Sequence, residues 1–225
     1  MRKPIFDTFA DKIALDFACG PGRMIKRMQK LFKKVDGCDI SSRLLEEARR
    51  YVPRTSNGGV SDFYLTNGND LGNVPRNYYD FVYCTISMQH IASYKVRKNI
   101  LENIFAALKV GGKITLQMAY NPRAPYTYEL PQAVRLGNDH EIRFYVKGNF
   151  ASYFDDDFDA EQTNGAHDVC ISAADLDDVK KDLSTQFANV ALWFSNVSNY
   201  YNDLNGKSHD HYWATDWIYL HGEKI

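Results

Sequence analysis

Residues 14–24 read ALDFACGPGRM, an apolar run that breaks into Cys19-Gly20-Pro21-Gly22 and then opens a basic segment. The stretch IALDFA (13–18) has the length and composition of a short buried strand. Pro21 suits the first turn of a helix, where a missing N–H removes no hydrogen bond. The residues that follow, GRMIKRMQKLFKK (22–34), set Met24, Ile25, Met28, Leu31 and Phe32 at helical spacing, with Lys and Arg on the opposite face. A strand that turns through glycines into a helix admits several readings. It is a plain bend, or a loop whose glycines let the backbone approach a ligand closely.

Working outward, the alternation repeats. VDGCDI (35–40) reads as a second strand, and Ser41 or Ser42 caps a helix over SSRLLEEARRYV that stops before Pro53. RTSNGG (54–59) is a loop, VSDFYLT (60–66) a third strand and YDFVYCT (79–85) a fourth. A helix fits YKVRKNILENIFAALKV (94–110), closed by Gly111-Gly112, and KITLQMAY (113–120) is a fifth strand. The regularity lapses over 121–172, where loops and a hairpin across 141–153 are expected. It resumes with a helix at about 173–187, the strand ANVALWFS (188–195) and a last strand within HYWATDWIYLHG (211–222). The expected fold is α/β: a Rossmann-like, seven-stranded, mostly parallel sheet with helices on both faces and an insertion after the fifth strand, in one domain over 1–225.

Composition narrows the function classes. The chain has 225 residues, 44% hydrophobic and 24% charged, which suits a folded core. A net charge of −1 lacks the basic excess of a dedicated nucleic-acid binder. No apolar run has membrane-spanning length, and MRKPIFDTFADK lacks the apolar middle of a signal peptide, so a cytoplasmic location is expected. Cys19, Cys38, Cys84 and Cys170 form no C-x-x-C pair and read as reduced, buried thiols.

Asp39 sharpens the opening stretch. It ends the second strand, where a carboxylate can accept from both hydroxyls of a ribose. A dinucleotide fingerprint needs a small residue where Ile25 stands, and Pro21 removes a donor from the loop; both weigh against a nicotinamide oxidoreductase. No GK[ST] follows, which excludes a Walker loop.

LDFACGPGR with GCDIS resembles motifs I and II of the class I S-adenosylmethionine-dependent methyltransferases. FYLTNGNDL, YDFVYCTISMQHI and LKVGGKITLQ continue that resemblance in order, over roughly residues 12–120. It is similar to the small-molecule branch of that superfamily. The resemblance implies S-adenosyl-L-methionine as cofactor and methyl transfer to an O or N atom of a small-molecule acceptor. It implies that Asp16, Ala18, Gly20 and Gly22 line the methionine part, that Asp39 holds the ribose and that Ile40 packs on the adenine. Asn67 and Gly68 would meet the adenine edge, and the Cys84 carbonyl the methionine ammonium. Gln89 and His90 would lie on the segment facing the transferred methyl, with Gln89 among the cofactor contacts. Arg23 at the helix start suits the methionine carboxylate. Two residues depart from the pattern: Ala18 replaces a common first glycine and Asn67 a common Asp, although an Asn oxygen still accepts from an amino group.

Methyl transfer from a sulfonium asks mainly for in-line alignment in a site with little water. A base is needed where the acceptor is a hydroxyl or a protonated amine, and His90 is the candidate. Residues 120–172 leave from the carboxyl end of the fifth strand and form the natural acceptor lid. Tyr120, Arg123, Tyr126, Arg143 and Tyr145 there suit a flat or anionic acceptor. NPRAPY (121–126) resembles the box of amino-directed nucleic-acid methyltransferases, but that box belongs after the fourth strand, where CTIS stands. His209-Asp210-His211 lacks a spaced third metal ligand. Asp155-Asp156-Asp157 with Asp159 lacks the calcium-loop spacing and glycine, so no metal is expected. A binding or regulatory module that keeps the cofactor pocket without turnover is the main alternative.

Overall fold

The computed structural model describes residues 7–53, 60–120, 126–136, 140–154, 156, 167–195 and 216–225; for 126–136, 140–152, 167, 168, 195 and 216 it describes the backbone alone. In chain order the elements are β1 (Ile13–Phe17), α1 (Arg23–Met28), β2 (Lys34–Asp39), α2 (Ser42–Tyr51), β3 (Phe63–Leu65) and β4 (Tyr79–Cys84). A single 3-10 turn (Met88–His90), α3 (Tyr94–Ala107) and the long β5 (Leu108–Tyr120) follow. The insertion supplies β6 (Tyr126–Leu136), β7 (His140–Ser152) and β8 (His167–Ile171). Then come α4 (Leu176–Leu183), β9 (Ala188–Ser195) and β10 (Asp216–Glu223).

β1 is buried except at its first residue, as a central parallel strand must be. It pairs in parallel with β2 on one side and β4 on the other, and β3 and β5 extend the sheet in parallel beyond them. β10 runs antiparallel between β5 and β9. The seven expected strands therefore stand in the order β3-β2-β1-β4-β5-β10-β9. The insertion adds three more to the same sheet. β8 pairs in parallel with the last two residues of β5, Ala119 and Tyr120, and β7 and β6 continue outward from β8. Because β10 occupies the other edge of Ala119 and Tyr120, β8 lies on the β4 side, past the end of β4.

Strand alternation divides the core between two faces. Ala14, Val35, Phe81 and Tyr83 pack with Ile25 of α1 and Leu45 of α2. Leu15, Val82, Ile114 and Leu116 pack with Ile100, Leu101 and Ile104 of α3 and with Val179 and Leu183 of α4. Ser41 caps α2 by accepting from Leu44 N–H at 3.3 Å.

Several boundaries differ from expectation. α1 stops at Met28 because the chain must reverse into β2. Lys30 N–H and Leu31 N–H bond to Arg27 and Met28 carbonyls three residues back, and Lys33 N–H closes onto Lys12 O at 3.0 Å. Leu31 is consequently exposed, whereas Ile25 and Phe32 are buried as the stripe requires. α3 ends at Ala107, because Leu108 is drawn into the sheet opposite Tyr79. Gly111-Gly112 lies inside β5 instead, with Gly111 at φ +78° and both glycines bonded to the backbone of Lys224. α4 covers only the middle of its expected span. The stretch 141–153 is not a hairpin: its Gly148-Asn149 pair sits in ladder register with Tyr128 and Thr127, and the hairpin is β6–β7. The RTSNGG loop lies outside the described residues, as do the His209-Asp210-His211 group, Asp155, Asp157 and Asp159. No helix among the described residues is long and apolar enough to cross a membrane. All four cysteines are buried and unbridged.

Candidate functional site

The order of the parallel strands reverses between β1 and β4, so the loops leaving their carboxyl ends diverge and open a crevice. The loop after β1 owes its shape to three left-handed residues: Ala18 (φ 58°), Gly20 (φ 52°) and Gly22 (φ 81°). Asp39 ties it down. One carboxylate oxygen accepts from Gly20 N–H at 2.8 Å, and the other accepts from Ser41 N–H at 2.8 Å. Each oxygen keeps acceptor capacity for a further donor. Cys19 N–H adds a bond to Cys38 O at 3.0 Å.

The two loop glycines serve different ends. A Cβ on Gly20 would meet nothing within 4 Å, so this position leaves open space above the backbone. A Cβ on Gly22 would lie 2.5 Å from Val52 Cγ2 and 3.3 Å from Ala48 Cβ, so Gly22 lets α2 close against the loop. Ile25 fills the place a dinucleotide loop keeps small. Its Cδ1 would stand 2.6 Å from a Cβ on Gly37, so the tight approach of α1 to the sheet uses a glycine on β2.

Asp16 is 2% exposed, and its Oδ2 has no hydrogen-bond partner among the described residues. Burial pushes its carboxyl well above the usual carboxylate range; the neighbouring Tyr83 hydroxyl opposes that, and the Asp39 charge adds to it. Arg23, the first residue of α1, is exposed. Beyond β2, Ile40 is 65% exposed and lies over Gly68, where a Cβ would come within 2.9 Å of Ile40 Cδ1. The pair makes an apolar ledge beside Asp39. Asn67 turns its side chain inward to its own loop: Oδ1 accepts from Asn69 and Asp70 N–H at 2.8 and 2.9 Å, and Nδ2 donates to Asp70 at 2.9 Å. The Asn67 oxygen that was expected to accept from an amino group is thus already bonded within the loop.

Cys84 ends β4 and is buried; burial, with Asp16 nearby, pushes its thiol up to about 12, opposed by the backbone of Met88 and Ser87. Gln89 is 3% exposed, and its Oε1 lacks a partner among the described residues. His90 is exposed and closes the 3-10 turn through its N–H to Ser87 O at 3.0 Å. That turn packs against β5 and β8. Tyr120 ends β5, half-buried, with its ring edge-on to Phe194 at 4.9 Å. Asp16 to Arg23, Asp39, Ile40, Asn67, Gly68, Cys84, Gln89, His90 and Tyr120 therefore all lie at the carboxyl ends of the parallel strands. Tyr126 begins β6, while Arg143 and Tyr145 lie on β7, opposite Ala133 and Pro131. Arg123 lies outside the described residues.

Three residues escaped the sequence reading. Tyr83 pairs in register with Asp16 across β1 and β4, and its buried hydroxyl has no partner among the described residues. Ile86 is a β-branched residue at φ 58°, 54% exposed, in the loop between Cys84 and Gln89. Such a backbone is strained, and strain of this kind gathers at functional loops. Arg97 is fully buried on α3; its guanidinium donates to the carbonyls of Ile91, Ala92 and Tyr153 and lies over the Tyr153 ring. Its position three residues before Ile100 puts it on the buried stripe of α3, which was the available signal.

Residues 14–112 match a family model described as a methyltransferase domain. Over that segment the chain is similar to methyltransferase domains. Trans-aconitate 2-methyltransferase from Paracidovorax citrulli is 25% identical over 150 residues, covering 63% of this chain and 54% of that protein. An S-adenosylmethionine dependent methyltransferase structure from Mesorhizobium loti matches with TM-score 0.60 at 12% identity, over 98% of this chain and 94% of the other. Phosphoethanolamine N-methyltransferase 2 from Haemonchus contortus, solved with phosphomonomethylethanolamine and S-adenosylhomocysteine, matches with TM-score 0.60 at 15% identity. That match covers 98% of this chain and 50% of the other. The chain spans about half the length of the curated relatives it matches, 54%, 58% and 49% of them. The matched methyltransferase segment takes in the 18–22 loop, Asp39, the Ile40–Gly68 ledge and the 84–90 segment, and ends at Gly112. The β6–β7 arm lies beyond it.

Proposed function

We propose that the chain is an S-adenosylmethionine-dependent methyltransferase that moves a methyl group to an O or N atom of a small-molecule acceptor. The observation that carries this is the Asp39 carboxylate. It holds the left-handed 18–22 loop, retains acceptor capacity, and stands beside the Ile40–Gly68 ledge. The cofactor fits two features: Asp16 Oδ2 is a buried acceptor without a partner among the described residues, and Gly20 opens space above the loop. In this reading Asp39 accepts from ribose hydroxyls, Ile40 and Gly68 bear the adenine, and Asp16, Ala18, Gly20, Gly22 and the Cys84 carbonyl take the methionine end. Asn67 contributes to the adenine edge through backbone more readily than through its engaged oxygen. Arg23 is free to turn toward a carboxylate from its exposed first-turn position. When bound, S-adenosylmethionine supplies a methyl group already activated by a sulfonium.

This chain's residues then orient the acceptor, exclude water and take a proton. His90 is the proposed base, and Gln89 beside it carries a buried oxygen able to orient a donor group. Residues 120–172 are the proposed acceptor lid, with Tyr120, Arg123, Tyr126, Arg143 and Tyr145 as its contacts. Attachment of β8 to the last residues of β5 supports this, because it roots the arm at the crevice end of the sheet. The names of two matched proteins, which specify trans-aconitate and phosphoethanolamine, support a small molecule as the class of acceptor.

Titration calorimetry with S-adenosylmethionine and S-adenosylhomocysteine tests the cofactor assignment. Binding of both is expected, with a loss of at least about tenfold in Asp39→Ala; no binding of either sinks the reading. Mass spectrometry of small-molecule pools tests turnover. A product heavier by one methyl group is expected. Cofactor binding with no methylated product in any pool would favour a non-catalytic regulatory module.

A further inference from the structure

The helix that starts at the crevice mouth carries an unbalanced charge. No Asp or Glu stands between Asp16 and Asp36, whereas Arg23, Lys26, Arg27, Lys30, Lys33 and Lys34 all fall within that stretch. Lys34 is half-buried and pairs with Asp36 and Asp62 at 3.1 and 2.6 Å. The other cations are exposed and have no acidic partner among the described residues. Helical spacing from Arg23 sets Lys26, Arg27 and Lys30 on one outer face, because Ile25 and Phe32 hold the inner one. The neighbouring α2 shows the ordinary balance: Arg43 and Arg50 are matched by Glu47 and Glu46 one turn away, at 3.2 and 3.9 Å. The helix dipole favours Lys26 and Arg27 in the last turn of α1, but it disfavours Arg23 in the first and does not reach Lys33. Two exposed apolar groups lie with the cations. Leu31 is 53% exposed next to Lys30, and Tyr51 is 47% exposed with the Lys26 ammonium 4.2 Å from its ring centre.

We propose that this outer face of α1, with Lys26, Arg27, Lys30 and Lys33 beside the exposed Leu31 and Tyr51, docks the chain reversibly on an anionic lipid bilayer. Positive charge alone suits a protein, a nucleic acid or a membrane; size and chemistry separate them. From Arg23 to Lys33 the face runs roughly 15 Å at helical rise. A protein partner covers about 800 Å² on each side, far more than one short helix offers, whereas a bilayer needs no bounded outline. A single-stranded nucleic acid stacks its bases on exposed rings, but Lys26 already covers the Tyr51 ring. Headgroup phosphates take the cations, and the layer beneath them takes Leu31 and the edge of Tyr51. The same face begins at Arg23 on the rim of the crevice, so the docked chain opens that crevice beside the headgroups. Docking goes beyond the methyl-transfer reading and does not depend on it.

The test is co-sedimentation of the whole chain with vesicles of phosphatidylcholine, alone or mixed equally with phosphatidylglycerol, at low and at high salt. Binding is expected on the mixed vesicles only, and high salt should release it. Each Lys or Arg near an anionic bilayer raises partitioning about fivefold. Joint replacement Lys26→Glu, Arg27→Glu and Lys30→Glu should therefore lower the partition constant at least about a hundredfold. Leu31→Ser should lower it several-fold and leave its salt dependence unchanged. Replacement of the same cations by Gln decides the matter if the Glu variant does not fold. No binding to the mixed vesicles, equal binding to both kinds, undiminished binding of the charge variant, or no effect of Leu31→Ser overturns the proposal. Retention by polyglutamate or by single-stranded RNA without binding to the mixed vesicles also overturns it, and assigns the face to a protein or a nucleic acid. Calorimetry with S-adenosylhomocysteine keeps the two readings apart. The charge variant should match the wild type; loss of binding in the variant alone places these cations in the crevice and overturns the docking proposal, whereas absence of binding in both bears on the crevice alone.

Discussion

Ala18 stands at φ 58°, where its methyl group crowds the following carbonyl. The sequence shows Ala18 as a departure from a glycine pattern, and the structure supplies its consequence, a strained residue at the mouth of the crevice. Ala18→Gly should relieve the strain and stabilise the protein by about 1 kcal/mol, read from urea unfolding. Asp16 carries a different cost. Its folded pKa lies above the unfolded value of 3.8, so the folded state holds the proton more tightly. That contribution is present at low pH and is lost as pH rises through the folded pKa, so the buried carboxyl is a net penalty at pH 7. Asp16→Asn should therefore stabilise the unliganded protein at pH 7 by about 1 kcal/mol, with the gain shrinking toward pH 4. Thermal melts across that range check the slope. Residue identities at the loop were legible because glycine, proline and carboxylate chemistry is local. The pairing of Asp16 with Tyr83 was not, because it depends on the parallel register of strands 67 residues apart.

At the scale of elements, the informative junction is between α3 and the root of the insertion. Arg97 holds the carbonyls of Ile91 and Ala92 before α3 and that of Tyr153 after β7. Asp156 accepts from Ser93 Oγ at 3.1 Å and from Lys95 N–H at 2.7 Å, so the same helix start also receives a carboxylate, and that N–H holds Asp156 below the usual carboxylate range. Tyr94, Tyr153 and Phe154 pack their rings around this junction. Arg97→Met should leave buried carbonyls unsatisfied and cost about 3 kcal/mol. Hydrogen exchange should quicken together at 88–93 and 140–154, with the 34–39 strand unchanged; a uniform change across all three would count against a local clamp. Strands and helices up to residue 120 were legible from hydrophobic period and caps. The arm was not, because β6 and β7 gain their strand identity from pairing with each other, and Gly148-Asn149 reads as a turn until that ladder is known.

Across the whole molecule, a seven-stranded, mostly parallel sheet followed from the alternation of elements, whereas the recruitment of β6–β8 into the same sheet did not. Nothing local in HDVCI (167–171) says that it will meet only the final two residues of β5. The sheet also carries a titration. His221 on β10 stacks on Trp193 of β9 at 4.8 Å, and its Nδ1 lies 3.3 Å from Thr115 Oγ1 on β5, so one ring joins three strands. Burial lowers its pKa from 6.5, Lys113 adds to that, and Glu223 opposes it. A depressed histidine contributes stability that is present above the unfolded value near 6.5 and is lost as pH falls through the folded one. Stability should decline over that acid window, and His221→Gln should flatten this part of the profile in equilibrium unfolding from pH 7.5 to 5.

β10 lies between β5 and β9, although β9 precedes it in the chain, and the Lys224 backbone that follows β10 bonds Gly111 and Gly112. Among the described residues β9 has no other strand to pair with. During synthesis, β9 therefore leaves the ribosome before its seat exists, and β5 waits with one edge open until residue 224 has been made. The eight strands β1 to β8 can assemble as they are translated; β9 and β10 close in one later event, when β10 slides into the gap and locks β5 and β9.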